Sequence, residues 1–212
     1  MGYDPDGTWN LKDIFKVIAT ALVVAVAVVL TAAAAVATGG LAGVAIMSVA
    51  TGMAFGSIGG GVSAAINGTD ITAGILCGFV KGAAVGFAVG MGIATGAGAF
   101  SLIGGLAAFG ASVSVNMMAG MINYGIDNTL NGREKNWEGA LISGGFQALS
   151  SAFAFFGGTV IGASGFYNIP GKDSLLSVKG VGNAAFGFFV KFITYYPFDY
   201  AFNYFKNKII FS

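Results

Sequence analysis

The chain has 212 residues, of which 56% are hydrophobic and only 9% charged, with 36 glycines, no histidine and a formal net charge of +1. Ordinary soluble domains carry about 25% charged residues, and this few ions cannot cover a compact body of this size unless lipid or a partner hides much of its surface. The same balance builds no dense basic face for nucleic acid, and a lone cysteine, Cys77, without any histidine removes disulfide scaffolds and the usual imidazole chemistry of zinc sites and activated nucleophiles.

Charges fall in short clusters, leaving residues 17–69, 82–126 and 139–171 without any. A helical crossing of a bilayer takes roughly 20 apolar residues, so the first two intervals each hold a helix pair and the third about one. Residues 1–16 form a polar leader with the turn-forming pairs Asp4-Pro5 and Asp6-Gly7. Val17 to Ala37 then reads as a first membrane helix rich in Val, Leu and Ala. A secretory signal is the competing reading, since Lys12 and Lys16 precede the apolar run and Ala35-Val36-Ala37 resembles a cleavage site. Three aspartates in the leader and the return of apolar sequence after Gly39-Gly40 favour the helix.

Leu41 to Ile66 is the second apolar segment, closed by the turn Asn67-Gly68-Thr69-Asp70; Ile71 to about Phe100 is the third and Ser101 to Ile126 the fourth. Residues 17–126 thus make glycine-rich hydrophobic hairpins. A polar hinge at 127–136 carries the densest charge, and 137–212 is a second helical part: a helix from Trp137 to about Gly165, a loop at Pro170-Gly171-Lys172-Asp173, and an aromatic-rich segment broken at Pro197. Asn67-Gly68 followed by Gly74 and Gly78 lies over Asn131-Gly132 followed by Gly139 and Gly145 as a loose internal repeat.

The sharpest pattern is glycine at every fourth position: Gly74, Gly78, Gly82, Gly86 and Gly90 on the third segment, with Gly92 and Gly96 starting another row, and Gly52, Gly56 and Gly60 on the second. On a helix such a row forms one slowly drifting groove. Each interior glycine costs about 1 kcal/mol against alanine in an isolated helix, a cost offset where two backbones approach closely in lipid or in a tight bundle. A flexible linker would lack the Val, Ile and Phe between these glycines. Gly90-Met91-Gly92 resembles part of a dinucleotide loop but lacks the strand, acidic partner and lysine of such sites. No catalytic, cofactor or metal residue is assigned, and Cys77 in its apolar run reads as a small buried hydrophobe.

Lys81 is the one basic residue between Lys16 and Arg133 and falls inside the third apolar segment. A central lysine costs roughly 2.5 to 3.5 kcal/mol on insertion, which about cancels the gain from the aliphatics around it. Two readings are open: Lys81 faces a wet lumen or partner, or it stands at a helix end. Near the C-terminus, Tyr196, Tyr200 and Tyr204 are one helical turn apart, with Lys206 and Lys208 beyond them; amphipathic rings beside lysines suit the headgroup zone as interface anchors.

The opening Tyr3-Asp4-Pro5-Asp6-Gly7-Thr8-Trp9-Asn10, with Lys12-Asp13-Ile14-Phe15-Lys16 and an Ala/Val/Gly-rich run after it, resembles the junction after the core of RHS or YD-repeat proteins, a family of secreted polymorphic toxins. In that family a DPxG motif closes a β-shell and a variable C-terminal tip begins; the likeness covers about 16 residues in detail. Thr8 departs from the aliphatic residue often found at the family's self-cleavage point. The resemblance implies a tip domain delivered by a larger protein, with a cognate immunity protein as partner. Many such tips are nucleases, yet the stretch beyond Gly165 holds few carboxylates and many aromatics.

The expected fold is all-α, with glycine-zipper helical hairpins forming a membrane-type bundle. The expected function is a membrane-inserting, pore-forming or depolarising toxin tip that is not an enzyme, with the lipid bilayer as partner, self-association into a homo-oligomer and no cofactor. A translocation or anchoring module and a structural membrane protein are the alternatives.

Overall fold

The computed structural model describes residues 16–24, 27 and 40–164, all of them helix or short turn. A helical stretch over residues 16–24, α1, precedes four long helices: α2 (Gly40–Asn67), α3 (Ile71–Gly96), α4 (Leu102–Leu130) and α5 (Trp137–Ala163). At 1.5 Å per residue, each long helix spans about 39 to 44 Å, enough to cross a hydrocarbon core about 30 Å thick. All four are long and apolar enough to do so. The fold is therefore all-helical among the described residues, with four candidate membrane spans.

Sequence punctuation explains the boundaries. The three turns between the long helices close in one way: the residue after the turn glycine donates its N–H back to the last helical turn, from Thr69 to Ala64 O at 3.0 Å, from Ala99 to Ala94 O at 3.0 Å and from Arg133 to Asn128 O at 2.8 Å. Gly68 and Gly132 have φ of 64° and 66°, a left-handed conformation that a side chain would strain. The next helix in each case starts on a polar cap that accepts a backbone N–H: Asp70 Oδ1 from Ala73 at 2.7 Å, Ser101 Oγ from Gly104 at 3.3 Å and Asn136 Oδ1 from Gly139 at 2.6 Å. The two halves of the loose repeat thus share turn chemistry.

Two boundaries differ from the sequence expectation. The third segment ends at Gly96, because Gly98 with φ 80° turns the chain before Phe100 is reached. α4 runs on to Leu130, taking Asp127–Leu130 out of the polar stretch read as a hinge. The side chain of Asn131 caps that extension by donating to Asp127 O at 3.0 Å and to Asp127 Oδ1 at 2.9 Å.

α3 is the central helix. It packs on α2, α4 and α5, while α4 also packs on α5. A core of Val44, Val85, Ala88, Val89, Ile93, Ala108, Ala154 and Phe155 joins α2 to α5, closed by an edge-on contact of Phe109 and Phe155 with ring centroids 5.3 Å apart. The Asp70 N–H donates to Asn131 Oδ1 at 3.0 Å, so the α2–α3 and α4–α5 turns meet at one end of the bundle. Asp70, Asp127, Arg133, Glu134, Lys135 and Glu138 all lie at that end, whereas the α3–α4 turn, Ala97–Ser101, carries no charge.

Candidate membrane-embedded site

Polar side chains are buried beside the apolar core of this bundle, and large apolar ones are exposed on its outside. Its most completely buried large side chains are Asn116, Asn128, Ser112 and Ser151, while Leu102, Ile103 and Ile66 are 83%, 81% and 79% exposed. Between 28% and 39% of the most apolar stretch of each long helix is buried, so most residues of these four hydrophobic helices are at least partly exposed. In water so many large exposed apolar side chains would be unfavourable; in lipid they cost nothing to expose, and only backbone and polar groups need internal partners.

The glycine rows on α2 and α3 are brought face to face in antiparallel register. A Cβ built on Gly52 would run into the carbonyl oxygen of Gly82, one on Gly56 into that of Gly78, and one on Gly60 into that of Gly74. The relation is reciprocal, since a Cβ on Gly74, Gly78 or Gly82 meets the carbonyl of Gly60, Gly56 or Gly52. Gly86 and Gly90 continue the line against Ser48 O and Ala45 Cα, the latter at 2.6 Å from a built Cβ. Gly92 and Gly96 turn to α5, where the backbones of Phe155 and Thr159 lie against them, and Gly158 and Gly162 answer from α5 against Val89 and Ile93. Glycine here removes the atom that would stand between two backbones, which lets dispersion and Cα–H contacts replace side-chain packing.

A second constellation, on α4 and α5, is polar. Asn116 donates to Ala84 O of α3 at 2.8 Å and to Ser112 O at 2.9 Å, and its Oδ1 accepts from Gln147 Nε2 at 3.1 Å. One turn along, Ser143 Oγ donates to Gly120 O at 2.9 Å. The antiparallel register set by these pairs brings Ser112 level with Ser151 one turn the other way. Sequence reasoning did not single out these buried groups; their signal is the spacing of four in Ser112-Asn116-Gly120 and Ser143-Gln147-Ser151.

Lys81 is the eleventh residue of α3, within the helix and not at its end. Cys77, four residues before, donates from Sγ to Asn123 O of α4 at 3.5 Å, and Ala84, three residues after, accepts from Asn116. Those neighbours place Lys81 on the side of α3 that adjoins α4, where it is half-buried. The exposed pair of Arg133 and Asp127 at 3.2 Å belongs to the charged end; surface pairs of this kind contribute about 0 to 1 kcal/mol. Tyr196, Tyr200, Tyr204, Lys206 and Lys208 lie outside the described residues, as do residues 3–15 of the segment that resembles the RHS junction.

Compared with known proteins, the chain matches no family model, no curated protein and no solved structure. What the fold defines is a class: a bundle of four apolar helices compatible with a membrane-associated protein.

Proposed function

We propose that this chain is a membrane-inserting protein whose glycine-zippered hairpins cross a bilayer and permeabilise or depolarise it, acting as the effector tip of an RHS-type secreted protein on a target-cell membrane. The observation that carries the membrane part is four helices long and apolar enough to cross a bilayer, with large Leu, Ile, Val and Phe side chains exposed along them. Permeabilisation is favoured over passive anchoring because Lys81 lies within a span, and ionisable residues inside a membrane face the bundle interior or a water-filled cavity and mark ion pathways. Self-association and an immunity protein that blocks insertion belong to the same proposal. No enzymatic step is part of it.

The test is flotation and leakage together. Purified chain added to liposomes should float with the lipid and dissipate an imposed potassium gradient. Flotation without loss of the gradient would leave an anchoring or translocation module; a chain that stays monomeric in detergent-free buffer and does not float removes the membrane reading altogether.

Lys81 supplies a second expected result. An ammonium on the α3 side facing α4 raises the local concentration of anions in any path running there, so Lys81→Glu should shift the reversal potential under a salt gradient toward cation preference while flotation is unchanged. Identical reversal potentials for the two proteins would take Lys81 off the path.

A further inference from the structure

The polar seam between α4 and α5 has more hydrogen-bonding capacity than the bundle uses. Ser57, Thr51, Thr95, Ser112 and Thr159 each return their hydroxyl to a carbonyl four residues back on their own helix, which satisfies the group without a neighbour. Ser151 does not. Its Oγ is fully buried and has no hydrogen-bond partner among the described residues, at the level of Ser112 and one turn from the Asn116–Gln147 pair. Asn116 and Ser151 are each the fifteenth residue of helices of 29 and 27, so the seam lies at the middle of the spans. Interhelical adhesion accounts for Asn116, Gln147 and Ser143, whose groups are paired across helices. It does not account for a hydroxyl at the same seam with nothing to bond.

Resting on the permeabilising reading, we propose that the α4–α5 seam is the water-accessible lining of the route by which small inorganic ions cross the membrane. A buried hydroxyl without a protein partner is satisfied by water, and neutral oxygens and amides at successive turns hand a partly hydrated ion along without holding it. Asn116 with Gln147 and Ser143 with Gly120 hold the two helices together across the seam, so an opening by a side-chain width passes ions and water but excludes large solutes. Depolarisation, not release of macromolecules, is the activity this arrangement gives.

Substituted cysteines test the seam directly, because a thiol reacts through its thiolate, which forms in water and not in hydrocarbon. In a Cys77→Ser background, Ser112→Cys and Ser151→Cys probe the seam; Ser114→Cys, two residues along α4 and exposed on the outer face, probes the lipid side at the same depth. The probe is 2-(trimethylammonium)ethyl methanethiosulfonate, added to protein in liposomes carrying a potassium gradient. Ser112→Cys and Ser151→Cys should react at least tenfold faster than Ser114→Cys, and reaction should slow ion flux. Seam cysteines that react no faster than Ser114→Cys while the protein still carries ions overturn the seam and leave permeabilisation standing. Reaction without a change in flux overturns it too, as a wet crevice off the route. A parent protein that floats but carries no ions removes the reading on which the seam rests.

Discussion

Gly82→Leu should separate α2 from α3 and reduce ion flux through liposomes at least tenfold, although the substitution makes the helix itself more stable. Taken alone, a helix gains about 1 kcal/mol when glycine is replaced by a residue with less backbone freedom, and leucine also adds apolar surface. A segment acting through helicity and hydrophobicity would therefore be as active or more so. The packing opposes this: a Cβ on Gly82 falls on the carbonyl of Gly52, and the Cα of Gly56 is 3.1 Å from it. Backbone, not the end of a flexible side chain, stands in the way, so the helices must move apart. Overpacking of this kind typically costs about 1 to 3 kcal/mol, and every close approach along the row is lost with it. Gly82→Ala meets the same carbonyl with a smaller group and should fall between.

The control is Gly59→Leu. Gly59 is on α2 beside Gly60, yet a Cβ there meets nothing within 4 Å, so this variant keeps the propensity gain and escapes the clash. Detergent-resistant oligomer size and potassium flux measured on Gly82→Leu, Gly82→Ala and Gly59→Leu separate the two accounts. If Gly82→Leu assembles and conducts like the parent, or Gly59→Leu fails equally, the spacing of glycines is compositional and carries no packing role.

Those glycines also show how far the sequence leads. A row with period four is visible because it repeats, and the charge-free runs with Asn67-Gly68 and Asn131-Gly132 at their ends mark most helix limits to within a few residues. Which glycine meets which is not written in the spacing: the pairing of Gly52 with Gly82 depends on where the turn at Gly68 starts α3. The end of α4 is hidden in the sequence because Asp127 looks like the start of a polar loop, while one side-chain cap from Asn131 lets the helix run past it. The seam is harder still to read. Ser112 and Ser151 acquire meaning only when an antiparallel register sets them level, and a serine in an apolar helix is otherwise indistinguishable from one that bonds its own backbone.

Met118→Arg should keep the chain out of the bilayer, lowering the inserted fraction about a hundredfold. Met118 is 62% exposed and is the seventeenth of the 29 residues of α4, near the middle of that span. For a soluble bundle an exposed methionine exchanged for arginine is a surface change, within about 0.5 kcal/mol of neutral, and the added charge would improve solubility. In a membrane the guanidinium would stand at mid-depth facing lipid, at a cost of roughly 2.5 to 3.5 kcal/mol on the insertion scale, and each 1.36 kcal/mol is about a factor of ten. Depth supplies the contrast. Leu130→Arg places the same residue on the same helix, 42% exposed, at the end shared with Asp127 and Arg133, where a long side chain reaches water and keeps its stem in the apolar zone. Flotation of the two variants with liposomes should then differ sharply, Leu130→Arg floating with the parent and Met118→Arg remaining in the aqueous fraction. Equal flotation would mean that the middle of α4 never meets lipid, and the outward-facing leucines and isoleucines would need another cover.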